Sequence, residues 1–272
     1  MKKYLLALGD LHVGSAYGLV HPKVPRHVGA GEEDVERVKL TKIQRYLWRC
    51  YNHMLNSPKL PEKIDVVVVN GDVIQGKRDP WEFRLSLERL DDQRDHAVAI
   101  LKPLRERCER MYIVMGTRSH SLDIFDVERE IALALNAKYH YVFNIKILGK
   151  VFNFVHSRSH AYVYKTTPLT REISYNALMA EFKKVPKADV IVRSHIHSLA
   201  SVRIGRKLAV FLPCWQISSE YAATGRASWY GSQPDIGAIL FEITEEPMPN
   251  GVKFGHIFDY DYPKIRLRVE EV

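Results

Sequence analysis

Cysteine is scarce in this chain, with three residues among 272. Cys50, Cys108 and Cys214 lie far apart and form no Cys-x-x-Cys pair. A disulfide scaffold is therefore excluded, and a thiolate zinc site is disfavoured. An odd number of cysteines is typical of proteins from a reducing compartment.

Long hydrophobic runs are also missing. No apolar stretch approaches the roughly 20 residues that span a bilayer, and the run from Tyr4 to Leu8 is too short for the core of a signal peptide. We therefore expect no membrane partner and a location in the cytoplasm.

Buried strands are predicted where apolar runs end beside a glycine, at residues 3–8, 64–69 and 112–115. Between them, apolar residues at helical spacing predict helices over 33–55 and 81–108. This alternation predicts an α/β protein whose functional loops follow the carboxyl ends of the strands.

Further strand-like segments after Tyr139 predict a second sheet in contact with the first. The chain has no internal repeat, linker or low-complexity tract. One domain over residues 1–272 is therefore expected, with residues 199–272 as its C-terminal strands and extension.

Histidine is plentiful by contrast, with 12 residues, and several lie at predicted strand ends beside carboxylates. Imidazole and carboxylate groups suit Zn, Mn or Fe, and two such metals about 3.5–4 Å apart can clamp a phosphoryl group. The clusters that could hold them are Asp10-Leu11-His12, Gly71-Asp72, Gly116-Thr117-Arg118-Ser119-His120, His156 and His195-Ile196-His197.

Each cluster also has a structural interpretation. A single histidine at a strand end, such as His156, is more often a hydrogen-bonded structural residue, and Gly-Asp after a strand is commonly a turn. The combination of Asp10-x-His12, Asp72 and His195-x-His197 favours a metal site, because alternate residues of an extended chain share a face.

The order of these clusters resembles the calcineurin-like metallophosphoesterase family, whose pattern is D-x-H, G-D, G-N-H-[DE], H and G-H-x-H. Here it stands as GDLHVG, NGDVIQG, GTRSH, VHSRSH and SHIH, between Leu5 and Ser198. The resemblance implies a four-layer α/β/β/α sandwich of two packed mixed sheets with two divalent metal ions, manganese first and zinc or iron as alternatives.

Carried over position by position, the family's metal ligands fall on six residues. They are Asp10, His12 and His197 for one metal, His156 and His195 for the other, and Asp72 as the bridge.

The third block departs from the family pattern, because Thr117 replaces the usual Asn and Arg118 the usual His. It resembles a branch of phage-encoded members with Gly-Thr-x-x-His, in which case the cytoplasm would be that of the host cell. His120 is then the proton donor to the leaving oxygen, a ligand of the second metal, or a solvent-facing residue. Thr117 could offer a weak hydroxyl ligand. Arg118 could clamp a phosphate oxygen or be solvated.

Positive charge is concentrated in one part of the chain. The net charge is +8, and residues 150–235 hold 12 Lys and Arg against 5 Asp and Glu. A cationic rim around the His156 to His197 half of the site would favour a polyanion such as nucleic acid. The alternative is a generally basic surface. Arg193 either lies near the site or pairs with a carboxylate elsewhere.

These observations predict a metal-dependent phosphoric ester hydrolase, with Asp72 and His120 as its catalytic residues. A metal-bridging hydroxide would attack a phosphodiester, and DNA is the leading substrate because of the charge and of nucleases in the family. A phosphomonoesterase or nucleotide phosphatase is the next alternative. A non-catalytic metal- or nucleic-acid-binding module is the third, because Thr117 weakens the second metal site. The sequence does not define an oligomeric partner.

Overall fold

The computed structural model describes residues 1–28, 34–76, 85–118, 126–156, 166–217 and 234–261. Its strands are β1 (Lys2–Leu8), β2 (Pro25–His27), β3 (Val35–Arg37), β4 (Ile64–Asn70), β5 (Cys108–Val114), β6 (Lys138–His140), β7 (Phe143–Ile147), β8 (Lys150–Val155), β9 (Val190–Arg193), β10 (Ala200–Ile204), β11 (Lys207–Phe211), β12 (Ile236–Thr244) and β13 (Val252–Tyr260). Its helices are α1 (Lys42–Leu55), α2 (Leu90–Arg107), α3 (Val127–Ala134) and α4 (Thr166–Glu181).

Six strands form the first sheet, in the order β13-β12-β1-β4-β5-β6. The strands β1, β4, β5 and β6 are parallel, β12 is antiparallel to β1, and β13 at the edge is antiparallel to β12. Because β1, β4 and β5 are parallel neighbours, the loops that follow them emerge at the same edge of the sheet.

The second sheet has five strands in the order β10-β11-β9-β8-β7. Its central strands β8, β9 and β11 are parallel, and antiparallel strands flank them on both sides. The C-terminal part of the chain contributes to both sheets, since β10 and β11 lie in the second and β12 and β13 in the first.

The two sheets pack face to face, and alternate residues of β1 illustrate how the layers form. Leu5 and Ala7 face the apolar interior between the sheets, together with Phe152 and Phe154 of β8. Leu6 and Leu8 on the opposite face of β1 pack in the apolar cluster that contains α1, α2 and α3. The outer face of the second sheet is covered by α4. This arrangement confirms the expected four-layer α/β/β/α sandwich of mixed sheets.

Two helix predictions were wrong at their amino ends. The segment predicted as helix from residue 33 contains β3 instead, which pairs with β2, and α1 begins at Lys42. A capping box explains this start, because the Thr41 hydroxyl accepts from the Gln44 amide and the Gln44 side chain accepts from the Thr41 amide. In the helix predicted over 81–108, residues 81–84 lie outside the described part, and α2 begins at Leu90 and contains Pro103.

None of the helices in the described part of the chain is both long and apolar enough to cross a membrane.

Replacing Phe152 by Ala tests how far the interior between the sheets determines stability. Phe152 is fully buried and packs edge-to-face against Phe241, with ring centroids 5.6 Å apart. We expect Phe152→Ala to lower the free energy of unfolding by about 3–5 kcal/mol, because it leaves a cavity that the two sheets cannot close. Denaturant titration measures this. The exposed Phe182 provides the control, and Phe182→Ala should change stability by less than about 0.5 kcal/mol.

Candidate metal centre

The first half of the predicted site lies in three loops at one edge of the first sheet. Asp10 and His12 follow β1, Asp72 follows β4, and Thr117 and Arg118 follow β5. The backbone joins the first two loops, since the Asp10 amide donates to the Gly71 carbonyl at 3.0 Å and the His12 amide to the Asp72 carbonyl at 3.0 Å.

The second half comes from the second sheet. His156 follows β8, and His195 and His197 follow β9, its parallel neighbour. The His195 amide donates to Asp10 Oδ2 at 3.1 Å, which links the two sheets at the site. All six residues that the resemblance placed at a metal centre are therefore brought together.

Left-handed backbone is concentrated in these loops. Few non-glycine residues adopt positive φ, and such conformations cluster at functional sites. Here the residues are Asp10 (50°), His12 (45°), Asp72 (47°), His195 (80°) and His197 (51°). The expectation that each Asp-x-His or His-x-His pair shares a face of extended chain was therefore wrong, although the side chains do converge.

The first group consists of Asp10, His12 and His197. The His12 and His197 Nε2 atoms are 3.1 Å apart, and Asp10 Oδ1 lies 3.4 Å from His197 Nε2 and 4.0 Å from His12 Nε2. Asp10 and His12 are buried. Three potential ligand atoms thus surround one point, a geometry suited to a metal ion.

The second group consists of Asp72, His156 and His195. Asp72 Oδ2 lies 2.9 Å from His156 Nε2 and 3.8 Å from His195 Nδ1. His156 Nδ1 donates to the Asn70 carbonyl at 2.8 Å, so its Nε2 is directed toward the carboxylate. The two groups adjoin, because His156 Nε2 is also 3.9 Å from Asp10 Oδ1.

Two buried atoms of the site have no hydrogen-bond partner among the described residues. They are Asp10 Oδ1 and His156 Nε2, and the latter is not aligned for a hydrogen bond with Asp72 despite its proximity. A buried polar atom without a partner is costly unless a ligand satisfies it. Since both atoms are metal-ligand types, the donor set fits divalent cations at this place.

The acid–base properties of the site also favour bound positive charge. Burial by itself lowers the pKa of His156, but the nearby Asp72 and Asp10 carboxylates raise it to about 9. Burial likewise opposes protonation of His197, while Cys214 and Asp10 raise its pKa above the usual value. Burial raises the pKa of Asp10, but His156 and His197 hold it below its ordinary value. Imidazoles that attract protons here also attract metal ions.

The third block orients a carboxylate. The Thr117 amide and hydroxyl donate to Asp72 Oδ1 at 2.6 and 3.0 Å, which leaves Oδ2 directed at the histidines. Gly116 is required beside it, because a Cβ there would lie 2.2 Å from Asp72 Oδ1. Arg118 is exposed. His120 lies outside the described residues, so its role stays a prediction.

Arg193 pairs with a carboxylate outside the site, which is the second of the two roles expected for it. It is buried at the end of β9, and its Nη2 donates to Glu172 Oε2 of α4 at 2.6 Å. This cation is therefore paired in the outer layer, beside the second sheet.

Sequence reasoning missed the residues that hold the histidines in place. His12 Nδ1 donates to Gln75 Oε1 at 2.9 Å, and Gln216 Nε2 donates to the same oxygen at 3.1 Å. Because Gln75 Oε1 accepts both bonds, His12 presents its Nε2 to the first group. Gln75 lies near the Gly-Asp block, but its sequence position alone carries no signal of this contact.

Glu128 is a second missed residue. This fully buried carboxylate of α3 accepts from the Val73 amide at 2.9 Å and from the Gly116 amide at 2.8 Å. It thus ties together the loops after β4 and β5, which carry Asp72 and Thr117. No motif in the sequence indicates this contact.

Comparisons with known proteins give structural likeness only. No family model and no curated protein matches the chain. Zinc-bound Vps29 from Entamoeba histolytica is 15% identical with a TM-score of 0.42, and the match covers 95% of this chain and 99% of that one. A predicted phosphoesterase from Streptococcus pneumoniae is 12% identical with a TM-score of 0.39, covering 96% and 99%. An archaeal phosphodiesterase is 8% identical with a TM-score of 0.42, covering 90% and 93%.

The chain resembles the calcineurin-like metallophosphoesterases in motif order and in its layers. At these identities and TM-scores the structural likeness carries no argument about activity.

Replacing Gln75 by Leu tests its support of His12. We expect Gln75→Leu to weaken metal binding by about 10–100-fold, because the imidazole loses the acceptor that sets its orientation. Competition with a chelator measures the affinity. Gln44→Leu is the matched control, since this buried glutamine caps α1 and contacts no predicted ligand. A Gln75→Leu variant with unchanged affinity and melting temperature would contradict the assignment.

Metal binding should release protons near neutral pH. His156 has a pKa of about 9 in the metal-free site, so it is protonated at about pH 7 and must lose that proton to bind a cation. Apparent affinity should therefore rise with pH from about 7 to 9. Titration calorimetry in buffers of different ionisation enthalpy measures the release, and heats that do not depend on the buffer would refute the expectation.

Proposed function

We propose that this protein is a metal-dependent phosphoesterase that hydrolyses a phosphodiester. The observation that supports it best is the pair of adjoining carboxylate–imidazole groups, joined where Asp10 Oδ1 lies 3.9 Å from His156 Nε2. Each group combines one buried carboxylate with two imidazoles. A single structural histidine does not account for this convergence of two sheets.

The residues of the chain divide into ligands and supports. In this proposal Asp10, His12 and His197 hold one cation, His156 and His195 hold the other, and Asp72 is shared between them. Such a donor set of nitrogen and oxygen suits manganese, with zinc or iron as alternatives. Two divalent cations held here would supply Lewis-acid polarisation of phosphoryl oxygens and activation of water.

The supporting residues limit how the ligands can move. The Thr117 amide and hydroxyl donate to Asp72 Oδ1 at 2.6 and 3.0 Å, and the hydroxyl is also 3.3 Å from Oδ2, so the carboxylate is held in its orientation toward the histidines. Gln75 and the Asn70 carbonyl orient His12 and His156 in the same way. Ligands whose geometry is set in advance need little rearrangement when substrate binds. His120 is proposed as the proton donor to the leaving oxygen.

A second candidate function is a non-catalytic metal-binding module. It is favoured by Thr117, which stands where the related family has an amide ligand and bonds Asp72 instead. With Asp72 shared, the first cation has two carboxylates and two imidazoles, whereas the second has one carboxylate and two imidazoles among the described residues. The second cation is therefore the more weakly bound of the two. A phosphomonoesterase would use the same ligands and differs in substrate only.

Replacing Asp72 by Asn separates these functions. With added Mn²⁺, the wild-type chain should hydrolyse bis-p-nitrophenyl phosphate, and Asp72→Asn should lower kcat by about 10²–10³-fold because the shared negative charge is lost. Asp65→Asn is the control, since Asp65 pairs with Lys3 near the opposite end of β4. If the wild-type protein binds one metal per chain and does not hydrolyse the diester, the non-catalytic binding module is supported. If it hydrolyses p-nitrophenyl phosphate faster than bis-p-nitrophenyl phosphate, the phosphomonoesterase is supported.

A further inference from the structure

A cavity of about 830 Å³ lies beside α1, and none of its lining residues belongs to the metal-binding groups. It opens between the amino-terminal half of this helix and the segment that follows β3. Its lining residues are Pro22, Arg37, Val38, Lys39, Leu40, Lys42, Arg45, Trp48 and Arg49.

The rim of this cavity carries five exposed cations, and no acidic residue is among the lining residues. They are Arg37, Lys39, Lys42, Arg45 and Arg49. None of the five forms an ion pair within the described ranges, whereas nearby Arg26 is paired with Glu36. Uncompensated positive charge around a concave surface produces a concentrated electric field that attracts anions.

The floor of the cavity is apolar and includes an aromatic ring. Trp48 is half-buried, and its ring stacks at 6.0 Å from Tyr51 and meets His21 edge-on at 4.9 Å. Val38 and Leu40 belong to the same apolar layer. An indole held in place by such packing offers a surface on which a planar base can stack.

Hydrogen bonds connect α1 to the loop that carries His12. The Thr41 hydroxyl donates to the Ala16 carbonyl at 3.2 Å, and Gln44 Nε2 donates to the Ser15 carbonyl at 3.0 Å. Ser15 Oγ in turn accepts from Gln216, which also bonds Gln75 beside His12. The cavity is therefore fixed to the loop that leaves the first metal-binding group.

The basic residues next to β9 and β11 in the segment at 150–235 do not provide this kind of rim around the metal-binding groups. Lys183, Lys184 and Lys187 precede β9, and Arg206 and Lys207 lie at the start of β11, its parallel neighbour. They lie at the amino end of β9, whereas His195 follows its carboxyl end. The expected cationic rim from these residues is thus at the opposite end of the second sheet.

We propose that the cavity beside α1 binds single-stranded nucleic acid, with phosphates on the five cations and a base against Trp48. This inference rests on the proposed function, since it names the class of phosphodiester that the metal centre would meet. Single-stranded nucleic acid alternates anionic phosphates with flat bases. The phosphates suit the cations on the rim of the cavity, and a base suits the aromatic ring on its floor. A second copy of the chain would bring like charges together, and an acidic peptide lacks a flat base for Trp48.

Fluorescence anisotropy with labelled oligothymidylate tests this assignment. The probe is longer than the ~16 nucleotides that one such groove covers, and EDTA prevents metal-dependent hydrolysis. Lys42→Glu with Arg49→Glu should weaken binding at least about tenfold. It should also reduce the slope of log K against log salt concentration by about 1.4 in magnitude, because two phosphate contacts are lost. The matched control is Lys184→Glu with Arg206→Glu, which changes the net charge equally on exposed residues and should have a much smaller effect.

Trp48 provides a second measurement. Trp48→Ala should weaken oligothymidylate binding by about fivefold or more, and Trp48→Phe should restore most of it, because any aromatic ring can stack on a base. Equal weakening by both charge-reversal pairs, or equal competition by poly-L-glutamate, would overturn the proposal in favour of unspecific polyanion binding. An absence of hydrolysis of bis-p-nitrophenyl phosphate would overturn the phosphoesterase instead, since binding in EDTA does not depend on it.

Discussion

The rest of the site depends on compensating the charge of two buried carboxylates, Asp10 and Asp72. Burying an ionised carboxylate is costly unless opposite charge or hydrogen bonds compensate it. Here the compensation comes from imidazoles that arrive on a different sheet, and from backbone and hydroxyl donors such as Thr117 and the His195 amide. The packing of the two sheets therefore brings together the groups that the carboxylates require. The fold thus places imidazoles, which bind protons or metal ions, around the two carboxylates.

The backbone supports this arrangement at a local cost. Left-handed φ values at five of the six predicted ligands disfavour ordinary side chains, and the surrounding contacts have to hold them. Several of these contacts are identified, among them the Asp10 and His12 amides that bond the loop after β4, and Glu128, which ties that loop to the loop after β5. Strain in these loops is thus offset by hydrogen bonds that are buried away from water.

Much of the fold could be predicted, because its signals are local. Apolar runs that end at glycine predicted β1 and β4 to within one residue of their observed bounds and located the carboxyl end of β5, since a buried parallel strand has to be apolar on both faces. The first four residues of β5, from Cys108, were missed. The start of α1 could not be predicted from periodicity. Apolar spacing continues upstream of Thr41, but the reciprocal cap formed by Thr41 and Gln44 begins the helix there.

The order of the five clusters was enough to propose the six ligands, because it resembles the metallophosphoesterase pattern and the ligands could be carried over from it position by position. Only the tertiary structure decided that Arg193 pairs with Glu172, that Thr117 bonds Asp72, and that Gln75 orients His12. Each of these contacts joins residues distant in the chain, and hydrogen-bond geometry depends on distances that sequence spacing does not determine. Charge follows the same rule. The sequence determined how many cations there are, whereas the directions of strands and helices decided that Lys42 and Arg49 share a cavity with Trp48 while the basic residues before β9 lie at its amino end.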